Sequence, residues 1–171
     1  MKKIFFIFIS ILFSVNVFGY SMSIKGMSHT KKFEKCKLTR YWDGNGYTIG
    51  WGHHLLKGES YKNISQFKAD ELFRKDIIKT NASINRLLKK FDGKVKFSQG
   101  FINGLGDLIY NCGEGGVKNS TFYKRLLKCR ILNGKFNKTD IEFTLAAVKT
   151  CRVSAKGHIE RRLQTYKMMK G

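Results

Sequence analysis

Apolar positions along the chain fall into blocks whose spacing changes from one block to the next. Between Ser28 and Lys37 a short amphipathic stretch predicts a first helix, with Phe33 and Cys36 on its apolar face and Ser28 or Thr30 as cap. Leu38 to Tyr41 begins an extended run, and Asp43-Gly44-Asn45-Gly46 is the strongest turn signal, since Gly and Asn tolerate positive φ. The β-branched and aromatic run Tyr47-Thr48-Ile49-Gly50-Trp51-Gly52 predicts the returning strand of a hairpin. Apolar residues then recur at near-helical spacing from Phe67 to Phe91 behind Ser65 as cap. A helix of that length can join two lobes. Ser98 caps a third helix, apolar nearly all round from Phe101 to Tyr110, as a buried centre requires. Asn111-Cys112-Gly113-Glu114-Gly115-Gly116 breaks the pattern, and shorter amphipathic segments follow at 120–131, 139–151 and 157–169.

The expected fold is therefore α+β and mainly helical. A small hairpin lobe covers about 28–64, a connecting helix about 65–91, and an all-helical lobe about 98–171. Hydrophobic residues make up 42% and charged residues 26%, which suits a packed domain rather than a disordered chain. Proline is absent, so Gly, Asn and Ser alone punctuate the chain.

Residues 1–19 read as a signal peptide. Lys2 and Lys3 precede an apolar run from Ile4 to Phe18, and Gly19 supplies a small residue for cleavage. The run is shorter than the ~20 residues of a spanning helix, so export is expected, with an uncleaved membrane anchor as the alternative. Net charge is +21, or +19 without the two leader lysines. A field of that size favours polyanions, and in an exported chain these are anionic wall polymers or a membrane surface rather than nucleic acid. A Lys-rich composition that serves only solubility is the alternative. The basic C-terminal segment with Arg161, Arg162, Lys167 and Lys170 could rest on such a surface, although a solvated helix face is the commoner explanation.

Cys36, Cys112, Cys129 and Cys151 all sit in apolar contexts that read as helical. Their even number permits disulfides, preferably Cys129–Cys151 and Cys36–Cys112, and buried free thiols are the other possibility. No CxxC or Cys/His ligand spacing is present, so neither a metal nor a cofactor is expected. Four Asn-x-Ser/Thr triplets, at Asn63, Asn81, Asn119 and Asn137, matter only in a eukaryotic secretory route.

Cleaving a glycosidic bond takes a proton donor on the leaving oxygen and a group that manages water on the other face. Glu34 suits the first role: the C-terminal end of its predicted helix disfavours a carboxylate, and Phe33, Tyr47 and Trp51 can desolvate it. Lys31, Lys32 and Lys35 act in the opposite sense, so the sign of the shift stays open. Asp43, at the mouth of the hairpin, can stay ionised, and Thr48 on the returning strand can help hold a water.

Glu34, eight residues, Asp43, four residues, then Thr48-Ile49-Gly50-Trp51-Gly52-His53 resembles the catalytic stretch of the phage-type, T4-like lysozymes. Those proteins usually have about five residues between Asp and Thr, and the shortening falls in the Gly-Asn-Gly turn. Ser98-Gln99-Gly100-Phe101 through Cys112-Gly113 and Gly157-His158-Ile159-Glu160-Arg161-Arg162 resemble later blocks of the same family. The resemblance implies a monomeric, two-lobed muramidase acting on bacterial peptidoglycan, with Glu34 as general acid and Asp43 and Thr48 positioning water. It implies an inverting geometry, with the carboxyl groups about 6.5–9.5 Å apart. It also implies that His54, Tyr110 and Asn111 lie along the groove, although Tyr110 reads equally well as a core aromatic. His53 is expected to pair with Asp76 and pin the hairpin to the long helix rather than act as a base. Two other functions stay open: a lytic transglycosylase, and a non-enzymatic cationic protein that binds walls or membranes.

Overall fold

Among the described residues, five helices begin on a side chain that accepts a backbone N–H of the first turn, which removes one unpaired donor from each. In this computed structural model, which describes residues 19–151 and 156–171, Ser23 caps α1 (Ile24–Glu34) and Ser65 caps α2 (Gln66–Leu88). Ser98, Ser120 and Asn137 cap α3 (Gln99–Lys118), α4 (Thr121–Leu126) and α5 (Lys138–Ala146). Each such cap contributes about 1 kcal/mol. The sixth helix, α6, spans Lys156–Lys170. The expected signal peptide lies outside the described residues except for Gly19. Among the described residues no helix is long and apolar enough to cross a membrane.

Helix α1 starts earlier than the sequence suggests. Ser28 and Thr30 do not cap it. Asn103 Oδ1 takes the Ser23 amide at 2.9 Å, and Thr30 is buried, with its hydroxyl donating to Asp107 at 3.1 Å. The helix also ends earlier, at Glu34, because Lys35 adopts a φ of 54°.

Strands β1 (Lys37–Trp42), β2 (Tyr47–Gly50) and β3 (His53–His54) form an antiparallel sheet in that order. The register pairs Tyr41 with Thr48 and Thr48 with His54. Side chains alternate between faces along a strand, so these three share one face. The sheet packs on α2, whose other contacts are with α3; a 3-10 turn, Lys89–Phe91, closes it. Helix α3 is the axis of the helical body, touching α1, α2, α4 and α6. Leu105 and Leu108 at its centre are fully buried, with Ile84, Leu88, Val117, Phe122 and Leu126 around them. The chain crosses α6 closely at Gly104, where a Cβ would stand 2.2 Å from Met169 Cγ.

Three features depart from expectation. Helix α3 does not stop at Asn111 but runs to Lys118 across a kink at Gly113, whose φ of 71° suits glycine. A second small hairpin, β4 (Ile131–Leu132) and β5 (Lys135–Phe136), turns on Asn133 and Gly134, both at positive φ. That Asn-Gly pair is itself a hairpin signal within the segment read as helix to residue 131. The expected disulfides are absent: all four cysteines are unbridged, and only Cys112 lies within a regular α-helix. Cys112 hydrogen-bonds the thiol of Cys151 rather than facing Cys36, and the Cys129 Sγ lies 3.2 Å from the Thr144 hydroxyl.

Candidate active site

Because Lys35 breaks the helix, Glu34 occupies the last position of α1, at the negative end of its dipole. Its side chain is only 16% exposed, and Oε1 accepts Arg161 Nη1 at 2.7 Å. Burial raises the Glu34 pKa; the Arg161 charge and hydrogen bond draw it back but do not cancel the rise. The sign left open by the sequence is therefore positive. The opposing cation is Arg161, from the far end of the chain, not the lysines of α1.

Arg161 is divided between two acids. Its Nη2 donates to Asp107 Oδ1 at 2.7 Å and its Nε to Oδ2 at 3.1 Å. Asp107 is wholly buried and also accepts the hydroxyls of Thr30 and Thr165. Burial alone would raise its pKa, but the His29 hydrogen bond and the Arg161 guanidinium hold it well below the usual carboxylate range. Asp107 thus keeps most of the Arg161 fork away from Glu34.

Asp43 stands in the opposite environment, in the exposed turn between β1 and β2. Its Oδ1 accepts the amides of Asn45 at 3.0 Å and Gly46 at 3.1 Å, and Oδ2 accepts the Thr48 hydroxyl at 3.1 Å. Those bonds, the Asn45 amide foremost, lower its pKa. Thr48 is buried, yet its hydroxyl touches both Asp43 and His54 Nδ1, the latter at 3.1 Å. The shortened turn therefore still brings Thr48 to Asp43. Tyr41 feels both acids: burial first, then the charges of Glu34 and Asp43, raises its phenol pKa.

His53 lies on the other face of β3, where Nδ1 meets Asp76 Oδ2 at 2.6 Å and Nε2 meets Glu59 Oε2 at 2.9 Å. The expected partner on α2 is present, and Glu59 is an additional one. Burial lowers the His53 pKa, but the two carboxylates outweigh it and the net shift is upward. Glu59 moves down, its burial outweighed by the Leu56 amide and His53. A raised histidine stabilises the fold below its unfolded value and ceases to do so as pH rises through its folded value. The Glu59 part is present above the ordinary carboxylate value and is lost as pH falls through the lowered one. We therefore expect His53→Gln to cost about 1–3 kcal/mol near neutral pH, a difference that shrinks on the alkaline side. Urea unfolding of both proteins across pH checks this; a pH-independent difference would rule the charged bridge out.

Of the three residues assigned to the groove, His54 and Tyr110 line one cleft of about 240 Å³, together with Gly52, Asp76, Lys79 and Glu114. The Tyr110 hydroxyl donates to the Trp51 carbonyl at 2.7 Å, which holds α3 to the end of the hairpin. Asn111 is turned instead to Arg162, whose Nη2 it accepts, and does not line this cleft. Among the described residues no group of three or more His, Cys, Asp or Glu is placed to hold a metal ion.

Arg161 and Arg162 do not belong to a basic outer face, as the sequence suggests: both are buried, and Arg161 joins Glu34 to Asp107, a pairing that the sequence assigned to neither residue. Arg161 lay within a block already matched to the family. Asp107 had its own signal, as the one charged residue in the run from Phe101 to Tyr110, which is apolar but for it, Asn103 and the glycines.

The helical body, the three-stranded sheet and this cluster of acids define a known class: the chain belongs to the phage lysozyme family, which matches residues 31–164. It is 31% identical over 121 residues to an endolysin of Bacillus phage B103, and 34% identical over 100 residues to an endolysin of Lactococcus phage c2. These matches cover 71% and 54% of this chain; it spans about 40% of the length of each relative. The fold is similar to the muramidase domain of SpmX from Asticaccaulis excentricus, with a TM-score of 0.69 and 17% identity over 89% of this chain and 99% of that one. An endolysin from Escherichia coli O157:H7 phage FAHEc1 superposes with a TM-score of 0.68 and 24% identity over 87% and 92% of the two chains.

Proposed function

We propose that the chain is a lysozyme hydrolysing the β-1,4 bond between N-acetylmuramic acid and N-acetylglucosamine in bacterial peptidoglycan. The observation that carries this is the divergence of two carboxyl groups. Glu34 is buried and shifted up, whereas Asp43 is solvated, hydrogen-bonded and shifted down. Environments that push two acids apart in this way assign one as proton donor and the other as anion. Glu34 gives its proton to the leaving glycosidic oxygen. A water held by Asp43 and Thr48 attacks the anomeric carbon and passes its proton to Asp43. The phage endolysin relatives and family membership support the substrate class. The net charge, +21 for the whole chain and +19 without the two leader lysines, supports residence on anionic wall polymers, reached by export through residues 1–19, with the chain acting as a monomer.

Digestion of purified peptidoglycan followed by mass spectrometry of the soluble fragments tests the proposal. Fragments ending in reducing N-acetylmuramic acid are expected. Anhydro ends would point to a transglycosylase, and no release at all to a wall-binding protein.

Gly52 offers a second test. Its φ is 84°, and a Cβ there would stand 2.7 Å from Glu34 Oε2, so the acid rests directly on backbone. Gly52→Ala is expected to displace Glu34 and lower turnover about 100-fold, the order that a misplacement of about 1 Å can cost. Strain at the same position destabilises by about 1–3 kcal/mol. Turnover measured well below the melting transition separates the two effects. Near-parental turnover there would show that Glu34 does not need this seat.

A further inference from the structure

Glu34 rests on a bend with little stiffness of its own. Gly50 and Gly52 both have positive φ, 64° and 84°, and the acid lies against Gly52, where a Cβ would stand 2.7 Å from Oε2. Glycine adopts such angles without steric penalty, but nothing in its side chain holds them. The residue between the two, Trp51, is therefore where the bend can be fixed, and it is tied twice. Its carbonyl accepts the Tyr110 hydroxyl of α3 at 2.7 Å, and its indole Nε1–H donates to Asp70 Oδ1 of α2 at 2.8 Å.

Asp70 lies near the start of α2, beside the fully buried Ala69. Ala69 packs under the bend, its Cβ 3.3 Å from where a Cβ on Gly50 would stand. Helix α2 thus meets the bend through one apolar contact and one directed bond. The same Asp70 Oδ1 accepts Lys31 Nζ at 2.6 Å, and that ammonium stands 4.8 Å from the centre of the Trp51 ring and 4.9 Å from that of Phe73. Lys31 is one turn before Glu34 on α1. One carboxylate oxygen therefore joins the two pieces that meet at the acid: the last turn of α1 that carries Glu34, and the Gly-Trp-Gly bend beneath it.

We propose that Asp70 is a positioning residue for the reaction, which by holding the Trp51 indole fixes the Gly50–Gly52 bend and with it the Glu34 carboxyl. This rests on the muramidase reading above. The bond suits the task because its acceptor is charged. The Lys31 hydrogen bond, foremost, holds Asp70 below the usual carboxylate range, and a bond to an ionised acceptor is shorter and stronger than one between neutral groups.

Three substitutions separate the bond from its surroundings. Trp51→Phe keeps an aromatic ring beside Lys31 and Phe73 but deletes the donor. Asp70→Leu deletes the acceptor. Asp70→Asn keeps an Oδ1 for both donors, and Gln66, which donates to Oδ2 at 3.4 Å, can turn its amide to match.

Initial rates on soluble glycan strands, read well below the melting transition, give kcat and KM for each protein. In Trp51→Phe and Asp70→Leu kcat is expected to fall about tenfold with KM near the parental value, because the acid is displaced by a fraction of an ångström while ground-state binding is kept. Asp70→Asn should return most of kcat. The double variant Trp51→Phe with Asp70→Leu should fall no further than the lower of the two singles, since both remove the same bond. Losses that multiply in the double variant overturn the proposal, as does a near-parental kcat in either folded single variant. A near-parental kcat in Trp51→Phe alone would trace the Asp70→Leu loss to the released Lys31 instead. A loss carried by KM alone overturns it too. Should Asp70→Leu fail to fold by circular dichroism, the contrast between Trp51→Phe and Asp70→Asn decides. Failure of the muramidase reading shows itself separately, as a wild-type protein that releases no reducing ends.

Discussion

Glu34→Gln is expected to lower turnover on peptidoglycan by about 10²–10⁴-fold, the contribution typical of a positioned general acid. The amide keeps the shape of the side chain and its acceptor toward Arg161, but it has no proton to deliver. Folding should tolerate the change. Arg161 retains Asp107, and the desolvation that raises the Glu34 pKa disappears with the carboxyl group. The unfolding midpoint is therefore expected to stay near that of the parent, and binding to insoluble wall, driven by the net charge, to persist. Rate assays on purified peptidoglycan with parallel thermal melts check the pair of outcomes. A Gln variant within about tenfold of the parent would remove Glu34 from the proton-donor role. The pH dependence carries the same assignment. The acid works protonated, so activity declines on the alkaline side as Glu34 loses its proton, and burial places that decline above the ordinary carboxylate range.

What the sequence made legible was local. Ser65 and Ser98 announce their helices because capping is a contact within three residues, and Asp43-Gly44-Asn45-Gly46 announces its turn because its constraint is one of φ. Glu34, Asp43 and Thr48 could be nominated together because they lie within one short stretch that folds on itself. The failures have the reverse character. Thr30 reads as a cap, yet its hydroxyl is taken by Asp107, which lies 77 positions later in the chain. Arg161 meets Glu34 across 127 positions, a contact that no periodicity reports. The balance of charges around Glu34 could not be signed from its neighbours, since the dominant cation comes from α6 rather than α1. The cysteine pairing failed for the same reason: Cys112 and Cys151 are brought together by the packing of the helical body, not by spacing.

The site is thus two local pieces joined by one distant one. The hairpin positions Asp43, Thr48 and His54 through backbone register, and the α1 terminus positions Glu34 through the break at Lys35. Neither piece sets the charge state of Glu34. That depends on how Arg161 is shared, and so on Asp107.

Asp107→Asn is accordingly expected to have two linked consequences, one on stability and one on activity. Asp107 is wholly buried and Arg161 nearly so, and removing one charge of a buried pair costs about 3–5 kcal/mol. For a chain of this size that lowers the melting midpoint by about 10 °C. The same change frees the Arg161 fork for Glu34 and deletes a negative charge that helps to raise the Glu34 pKa. Glu34 then loses its proton more readily, and activity at the alkaline end should fall relative to the acid end. A purely structural role for Asp107 predicts the loss of stability alone, with the pH profile unmoved. The double change Asp107→Leu with Arg161→Met separates the terms further. It removes both buried charges, so much of the stability should return, while Glu34, now without its cation, should hold its proton to higher pH than in the parent. Denaturant unfolding and rate–pH profiles of the three proteins decide the matter. Recovery of stability with an unshifted profile would mean that Arg161 does not tune the acid.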